Sequence, residues 1–241
     1  MQTAPYDSFA AAYAADNESN FVNGHYERPA MIDLAGDVKG RRVLDAGCGS
    51  GPLAAALIEG GADVVGFDLS PEMVEIARQR LGDDVDLRVA DLGEPLPDPD
   101  DSFDDVVGSL VLHYLEDWAA PLAELHRVLK PGGRLILSVN HPYAYMLNHP
   151  KADYFATTQF SDEFTFAGQE ATLTYWHRPL PAITSAFTEA GFDIASVSEP
   201  PYDPDTPLEL IPPPLVGRSF ICFMFFVLQA PTEGSYSGAR T

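Results

Sequence analysis

Three alternating glycines separate a short apolar run from an alanine-rich segment with helical character. The stretch 43–51 reads Val-Leu-Asp-Ala-Gly-Cys-Gly-Ser-Gly. Glycine tolerates positive φ and has no Cβ, so Gly47, Gly49 and Gly51 allow a small molecule to lie directly against the main chain. The helix that follows presents unpaired N–H groups and a partial positive charge at its start. This turn therefore predicts a binding site for a molecule that carries a carboxylate or a phosphate.

Acidic residues close three successive predicted strands, Asp45 the first, Asp68 the second and Asp91 the third. A carboxylate at the end of the second strand can accept hydrogen bonds from both hydroxyls of a ribose, and one at the end of the third can accept from an exocyclic amine. Together they predict an adenosine. Two alternatives stay open, since Asp45 either ties down the turn or contacts the ligand, and Asp91 is alternatively an ordinary strand cap.

Position 52 disfavours one class of nucleotide-binding protein. The dinucleotide fingerprint requires glycine at 47, 49 and 52, and this chain has Pro52, with the third glycine at Gly51. A turn that holds the pyrophosphate of a nicotinamide dinucleotide is therefore disfavoured. A nucleoside with an amino-acid tail fits the spacing better.

The elements that position these residues follow from the apolar pattern. Strands are predicted at 43–46, 63–67, 85–90, 103–110, 134–139, 193–198 and 219–229, and helices at 6–15, 28–35, 52–59, 71–81, 118–129 and 179–190. Alternation of strand and helix, with crossovers too long for hairpins, is typical of a parallel sheet with helices on both faces. Ligands of such sheets bind at the carboxyl ends of the strands.

The composition of the chain disfavours several classes of binding partner. The chain has 14 basic and 36 acidic residues, a net charge of −22, which disfavours nucleic acid and anionic lipid. The acidic excess either keeps the protein soluble or attracts a cationic ligand. No apolar run approaches the roughly 18 residues of a membrane span, and no signal peptide is visible, so we expect a cytoplasmic protein with no membrane partner. Cys48 and Cys222 are the only cysteines, which predicts reduced thiols and no metal cluster.

Four stretches, in this order, resemble the class I S-adenosylmethionine-dependent methyltransferases, specifically their bacterial small-molecule (methyltransferase type 11-like) branch. They are 43–51, 66–73 (Gly-Phe-Asp-Leu-Ser-Pro-Glu-Met), 89–92 (Val-Ala-Asp-Leu) and 124–135 (Glu-Leu-His-Arg-Val-Leu-Lys-Pro-Gly-Gly-Arg-Leu). The resemblance covers roughly residues 6–228. It implies a Rossmann-like α/β fold, a doubly wound and mostly parallel seven-stranded sheet with an antiparallel last strand and an N-terminal helical cap. It also implies S-adenosyl-L-methionine as cofactor.

The resemblance assigns the cofactor to one set of residues: Tyr13, Arg28, Asp45, Gly47, Cys48, Gly49, Gly51, Asp68, Leu69, Met73, Ala90, Asp91, Leu92, Ser109 and Leu110. The glycine turn is expected to hold the methionine part, Asp68 the ribose and Asp91 the adenine amine, with the four apolar residues near Asp68 and Asp91 around the adenine. The backbone after the fourth strand meets the methionine amino group. Tyr13 covers the cofactor and Arg28 pairs with the methionine carboxylate.

Two histidines follow strands on the cofactor side and are candidates for acid–base catalysis. His113 follows the fourth strand and His141 the fifth, so both are expected where an acceptor substrate lies. A hydrogen-bonded structural histidine is the alternative for each. Tyr143, Trp176 and His177 are expected to bind the acceptor.

The chain is expected to divide into a helical cap at 1–40, a methyltransferase domain at 41–231 and a disordered tail at 232–241. Residues 140–178 carry many aromatic residues without a clear period and are expected to form a substrate lid within that domain. The alternative for this insertion is an interface between two copies of the chain, as in a homodimer.

The function that these observations favour is methyl transfer from S-adenosylmethionine to oxygen, nitrogen or carbon of a small molecule. Close approach in a water-poor pocket is the main requirement of this reaction, and a base helps without always being needed. Two alternatives are a non-catalytic protein of the same fold that regulates a partner, and a nicotinamide oxidoreductase.

Overall fold

The structure, a computed structural model, describes residues 6–232. Its helices are α1 Ala10–Asn17, α2 Arg28–Ala35, α3 Pro52–Glu59, α4 Pro71–Leu81, α5 Ala119–Val128, α6 Pro142–Asn148 and α7 Leu180–Glu189. Its strands are β1 Arg42–Ala46, β2 Asp63–Asp68, β3 Asp86–Val89, β4 Phe103–Ser109, β5 Leu129–Asn140, β6 Thr158–Phe166, β7 Gln169–His177, β8 Asp193–Ser198 and β9 Phe223–Gln229. Residues 233–241 of the predicted tail lie outside the described residues.

Seven strands form one sheet in the order β3-β2-β1-β4-β5-β9-β8. The first five in the chain pair in parallel, and β9 pairs antiparallel with both β5 and β8. The order reverses between β1 and β4, the position where open α/β sheets bind ligands beyond the carboxyl ends of their strands. The predicted fold class, with its antiparallel last strand, is confirmed.

Two apolar cores cover the two faces of this sheet. One includes side chains of α5 and α7, the other side chains of α2 and α3. The last strand contributes to both, since Phe225 lies in one core and Phe226 in the other, each fully buried. A strand that is buried on both faces is apolar along its length, which explains the run of residues in β9.

Ionic contacts fix the amino ends of the central strands. Asp105 of β4 is fully buried and accepts hydrogen bonds from Arg41 Nη2 at 2.8 Å and from Arg134 Nε at 2.7 Å. Two guanidinium groups therefore share one buried carboxylate at the edge opposite the glycine turn. Such charge-assisted contacts hold the strand register where no ligand is expected.

The insertion at 140–178 is more regular than the sequence analysis expected. It contains α6 and an antiparallel hairpin of β6 and β7, which form a sheet of their own. The hairpin turn is Ala167-Gly168, with φ of 47° and 85°. Positive φ at both central residues is the geometry that matches the twist of paired strands. Aromatic residues that show no clear period in the sequence therefore belong to a regular helix and hairpin.

The N-terminal cap consists of α1, a π-helical turn at Asn23–Glu27 and α2. The last of these begins with Pro29 in its first turn and ends at Gly36 with φ of 62°, as predicted. Within residues 6–232, no helix is both long and apolar enough to cross a membrane.

Candidate functional site

All three glycines of the turn have the left-handed backbone that favours glycine, with φ of 78°, 54° and 80°. A Cβ on Gly47 would lie 2.6 Å from Val111 Cγ2, so this position requires glycine for packing as well as for φ. A Cβ on Gly49 would meet no atom within 4 Å. The main chain at Gly49 therefore borders open space, as expected for a backbone that contacts a ligand.

A cavity of about 660 Å³ opens at the carboxyl ends of β1, β2, β4 and β5. Its volume is within the range of small-molecule and cofactor sites. Its wall includes most of the residues predicted for the site: Tyr13, Arg28, Asp45, Gly47, Cys48, Gly49, Asp68, Leu69, Met73, Ala90, Asp91, Leu92, Ser109, Leu110, His113, His141, Trp176 and His177.

Two predicted residues lie outside the cavity wall. Gly51 faces α4, where a Cβ would lie 3.1 Å from Leu81 Cδ1, and its φ of 80° serves the turn into α3. Tyr143 is 58% exposed, because it lies in the first turn of α6 on a different face from Ala144 and Tyr145, which line the cavity. The structure therefore gives no support to a ligand contact by either residue.

Asp68 connects the second strand to the glycine turn. One carboxylate oxygen accepts from Gly49 N at 2.9 Å and the other from Ser70 N at 2.9 Å. Burial raises the pKa of this carboxyl, and the two backbone donors oppose that rise. Because each carboxylate oxygen can accept more than one hydrogen bond, the oriented group can also accept from two hydroxyls of a ligand.

Asp45 is 1% exposed, and neither of its carboxylate oxygens has a hydrogen-bond partner among the described residues. Burial, followed by the negative charges of Asp68 and Glu27, raises its pKa to about 7. The backbone N–H of Ala54 opposes that rise, so Asp45 also has a contact with the start of α3. A buried polar group without a full hydrogen-bond partner is rare in folded proteins, and the two interpretations of Asp45, in the turn and at the ligand, both stay open.

Sequence analysis missed Glu27, which lies at the end of the π-helical turn and is 3% exposed. Its Oε1 accepts from Ser109 Oγ at 2.7 Å and from Ser138 Oγ at 2.6 Å, and Glu27 lines the cavity. Burial raises its pKa. The charge thus lies beside the ends of β4 and β5, although the residue belongs to the cap.

Ser109 ends β4, Leu110 follows it, and both lie at the cavity wall. Leu110 has φ of 51°, a left-handed conformation that is strained for a leucine. Its N–H donates to Ser138 Oγ at 2.9 Å, which in turn donates to Glu27. A strained backbone held by a buried polar network is typical of a functional site.

Arg28 also lines the cavity. Its Nη2 donates to the backbone oxygen and to the Oδ1 of Asn17, both at 2.7 Å, so the guanidinium is fixed to the end of α1. Burial lowers its pKa. A cation is therefore held at the wall beside Glu27, its neighbour in the chain.

At the third strand end, Asp91 caps the strand and also lies in the cavity wall. Its Oδ1 accepts from Gly93 N at 2.8 Å, which closes an Asx turn, and the residue also lines the cavity. Around it lie buried Met73 and Leu92. This end of the cavity is flanked by apolar side chains and has one carboxylate at its rim.

An aromatic roof closes the cavity. Tyr6 and Tyr13 lie 4.7 Å apart by ring centroid, and the hydroxyl groups of Tyr6 and Tyr114 are hydrogen-bonded to each other. Phe9 stacks on Phe166 of the hairpin at 5.7 Å. The N-terminal segment and the hairpin thus meet over the strand ends, and Tyr6 is a cavity residue that the sequence analysis did not single out.

His113 is 4% exposed, and burial lowers its pKa to about 3. Its Nδ1 accepts a long hydrogen bond of 3.4 Å from Asn140 N. The ring is therefore neutral and carries its proton on Nε2, which makes that nitrogen a donor. This geometry disfavours His113 as a base.

Both ring nitrogens of His141 are occupied. Its Nδ1 accepts from Tyr143 N at 3.0 Å and caps α6, while Nε2 lies 2.5 Å from Glu199 Oε1. No lone pair is left to accept a proton from a substrate, so the structure favours the structural alternative for His141.

His177 lies at the end of β7 and stacks on Tyr145 at 4.1 Å. Its Nε2 donates to the backbone oxygen of Tyr154 at 2.8 Å, which leaves the lone pair on Nδ1. Burial lowers its pKa. Of the three histidines, this one has the protonation that suits a proton acceptor.

These residues fit an adenosine with a charged amino-acid tail. The backbone at Gly49 borders open space, and the carboxylate acceptors at the three strand ends, Asp45, Asp68 and Asp91, match the donor groups of such a molecule. Among residues 6–232, no group of three or more His, Cys, Asp or Glu side chains is arranged to hold a metal ion.

Comparison with known proteins gives three likenesses. A family model described as a methyltransferase domain matches residues 44–137. A ubiquinone biosynthesis O-methyltransferase of Xylella fastidiosa is 33% identical over 194 residues, which are 75% of this chain and 73% of that protein. A demethylmenaquinone methyltransferase of Clavibacter sepedonicus is 41% identical over 138 residues, 56% of each chain. The chain thus spans little more than half the length of that relative.

Among solved structures, an S-adenosylmethionine-dependent methyltransferase from Mesorhizobium loti has a TM-score of 0.67 and 28% identity. The match covers 86% of this chain and 99% of the other.

Proposed function

Because the chain belongs to the family of S-adenosylmethionine-dependent methyltransferases, we propose that it transfers the methyl group of that cofactor to a small-molecule acceptor. The observation that carries the proposal is Asp45, a buried carboxylate without a partner, beside the oriented Asp68 and the open backbone at Gly49. When bound, S-adenosylmethionine supplies a methyl group on a sulfonium and becomes S-adenosylhomocysteine.

The residues assigned to the cofactor bind and orient it. Asp68 accepts from the ribose hydroxyls, Asp91 accepts from the adenine amine, and Leu69 and Met73 flank the ring. The aromatic roof excludes water, which favours an in-line displacement between a nucleophile and a carbon held at close range.

The acceptor half of the cavity is aromatic. Tyr145, Phe160, Tyr175 and His177 line it, and their rings lie within 6 Å of one another in successive pairs. Such walls support a planar acceptor. The two relatives above are named for menaquinone and for ubiquinone biosynthesis, and a quinone ring is planar.

Two histidines act on the acceptor in this proposal. The Nε2–H of His113 donates a hydrogen bond that positions the acceptor, and Nδ1 of His177 accepts the proton that an oxygen or nitrogen nucleophile loses. His141 caps the start of α6. Trp176 lies in the cavity wall. With the cofactor bound, these residues would hold the nucleophilic atom of the acceptor beside the methyl group.

Isothermal titration calorimetry with S-adenosylmethionine tests the cofactor site. We expect binding by the wild type and at least a tenfold loss in Asp68→Ala. Asp63→Ala is the matched control, because it removes an exposed carboxylate at the other end of the same strand. Undiminished binding by Asp68→Ala, or no binding by the wild type, would refute the proposal.

Incubation with metabolite extracts and mass spectrometry distinguishes the alternatives. A methyltransferase yields S-adenosylhomocysteine and a product heavier by one methylene. A regulatory protein of this fold binds the cofactor without yielding either product, and an oxidoreductase shifts its melting temperature with a nicotinamide dinucleotide.

The proposal also includes a cytoplasmic location, a homodimer and a division into domains. Free thiols at Cys48 and Cys222 support a location in the reducing cytoplasm. Exposed Tyr143, Leu147 and Phe155 on the insertion support a homodimer, which light scattering after size-exclusion chromatography would detect. The division at 1–40, 41–231 and 140–178 stays a prediction.

A further inference from the structure

Two buried carboxylates in the cavity wall, those of Glu27 and Asp45, form no ion pair with a side chain of the described residues, although Arg28 lies near Glu27. Among the described residues, no Lys, Arg or His nitrogen lies within 4 Å of the carboxylate of Glu27 or Asp45. Glu27 accepts from the hydroxyls of Ser109 and Ser138. The backbone N–H of Ala54 lowers the pKa of Asp45, but neither carboxylate oxygen of Asp45 has a partner in full hydrogen-bond geometry. The hydroxyls orient Glu27 without neutralising it.

Such groups are unfavourable unless a proton or a cation compensates them. A carboxylate removed from water loses its hydration, and a second carboxylate nearby adds repulsion. Burial raises the pKa values of both groups, and the negative charge of Glu27 raises that of Asp45 further, whereas the hydroxyls of Ser138 and Ser109 and the charge of Arg28 only oppose the rise at Glu27. The wall at this point therefore favours a ligand group that carries positive charge.

The position of Glu27 indicates which part of the ligand this is. Its hydroxyl donors lie at the carboxyl end of β4 and on β5, and its neighbour Arg28 holds a guanidinium at the same cavity wall. Adjacent residues of the cap thus present opposite charges. An amino-acid tail also has two opposite charges, an ammonium and a carboxylate, a short distance apart.

The expected ligand has two cations, an ammonium and a sulfonium, and they differ in the hydrogen bonds that they can donate. An ammonium donates three hydrogen bonds, whereas a sulfonium has no N–H or O–H to donate. Oε2 of Glu27 and both oxygens of Asp45 are acceptors without donors in the described structure. Acceptors in this number suit a group with several donors.

We propose that Glu27, together with Asp45, binds the ammonium group of the amino-acid tail of the methyl donor, with Ser109 and Ser138 orienting Glu27. The assignment rests on the proposed function and deepens it, because it makes a residue of the N-terminal cap part of the donor site. The cap then selects a ligand with a charged tail in addition to covering it.

The affinities for two ligands distinguish a role of Glu27 in ammonium binding from a purely structural role. S-Adenosylhomocysteine carries the ammonium and has no sulfonium, and 5′-methylthioadenosine is the same thioether nucleoside without the amino-acid tail. In calorimetry, Glu27→Gln is expected to lower the affinity for S-adenosylhomocysteine at least tenfold and that for 5′-methylthioadenosine less than twofold. The variant keeps the size of the side chain and an oxygen that can accept from the two hydroxyls.

Glu18→Gln is the matched control. It makes the same carboxylate-to-amide change in the same cap, at a residue that is paired with Arg80 and lies outside the cavity wall. Both affinities are expected to stay within twofold of the wild type.

Each other outcome overturns the assignment in a recognisable way. An equal loss for both ligands would show that Glu27 only supports the fold. A loss for S-adenosylmethionine with none for S-adenosylhomocysteine would move the contact to the sulfonium. Wild-type protein that binds none of these ligands would refute the proposed function itself.

A second variant keeps the test valid if Glu27→Gln does not fold. Ser138→Ala leaves the charge of Glu27 in place and removes one of the hydroxyls that orient it. We expect a selective loss of three- to tenfold for S-adenosylhomocysteine, and no selectivity would overturn the assignment.

Discussion

Replacing Asp45 with asparagine is expected to change the stability of the ligand-free protein relative to the wild type. This difference should favour the variant more at pH 8 than at pH 5. The cause is the uncompensated charge of this carboxyl, whose pKa is raised to about 7 in the folded protein. In the unfolded chain its pKa is about 3.9. At pH values between these two pKa values, the folded protein keeps a proton on Asp45 that the unfolded chain has already lost.

The magnitude follows from proton linkage. A raised folded-state pKa means that the folded protein binds more protons, so the contribution of Asp45 to stability is lost as pH rises from about 4 to about 7. The loss is about 1–2 kcal/mol at pH 5 and about 4 kcal/mol at pH 8, at roughly 1.4 kcal/mol per pKa unit. Asparagine does not titrate. The stability of the variant relative to wild type should therefore grow by about 3 kcal/mol between these pH values.

Urea denaturation of both proteins at pH 5 and pH 8, without ligand, measures this difference. The comparison between pH values removes the constant cost of a buried amide without a partner, which is about 1–3 kcal/mol. The same variant should bind S-adenosylhomocysteine more weakly. A stability difference that is independent of pH, or that falls from pH 5 to pH 8, would refute the account of Asp45 as an uncompensated buried charge.

Three further predictions concern the turn, the sheet and the histidines. Gly49→Ala and Gly40→Ala should each cost about 1 kcal/mol, because both positions have positive φ and open space at Cβ, but only Gly49→Ala should weaken S-adenosylhomocysteine binding in calorimetry, at least tenfold. Asp105→Asn should lower the free energy of unfolding by about 3–5 kcal/mol, since it leaves two arginines without their buried partner, and a smaller loss by urea denaturation would contradict the ion-pair argument. His113→Ala should lower turnover of an identified acceptor more than cofactor affinity, whereas His141→Ala should mainly lower the melting temperature; the reverse pattern would restore His141 as the catalytic candidate.

The cofactor half of the site could be predicted from sequence because its parts are local. A glycine turn follows β1, Asp68 closes β2 and Asp91 follows β3, and parallel strands bring these ends to one edge of the sheet. The chemistry of each end is therefore readable in a few residues. The strand order, which comes from the fold, determines only that these strand ends lie close together.

Glu27 was missed because nothing near it in the chain indicates its role. Its hydroxyl partners are Ser109 and Ser138, which lie 82 and 111 positions further along. A glutamate in a polar segment of the cap is ordinarily a solvated side chain. Only tertiary structure buries it against two strands.

The hairpin was missed for a different reason. Phe160, Phe164 and Phe166 lie on one face of β6, but Asp162 occupies that same face and breaks the apolar alternation. Asp162 lines the cavity, so the break is a consequence of the site. The turn also lacks the asparagine or aspartate that usually precedes glycine at such positions, since Ala167 adopts the positive φ.

Two buried aspartates on neighbouring strands show where the fold leaves room for a ligand. Asp105 of β4 and Asp45 of β1 are both within 1% of full burial, and both interrupt apolar runs in the sequence. The chain surrounds Asp105 with Arg41 and Arg134 but provides Asp45 with no hydrogen-bond donor in the described residues. The same sheet can therefore neutralise a buried carboxylate, and it does so at the amino ends of its strands. At the carboxyl ends, where the cavity lies, either a proton, as the raised pKa of Asp45 allows, or the cationic group of a bound molecule compensates the carboxylate.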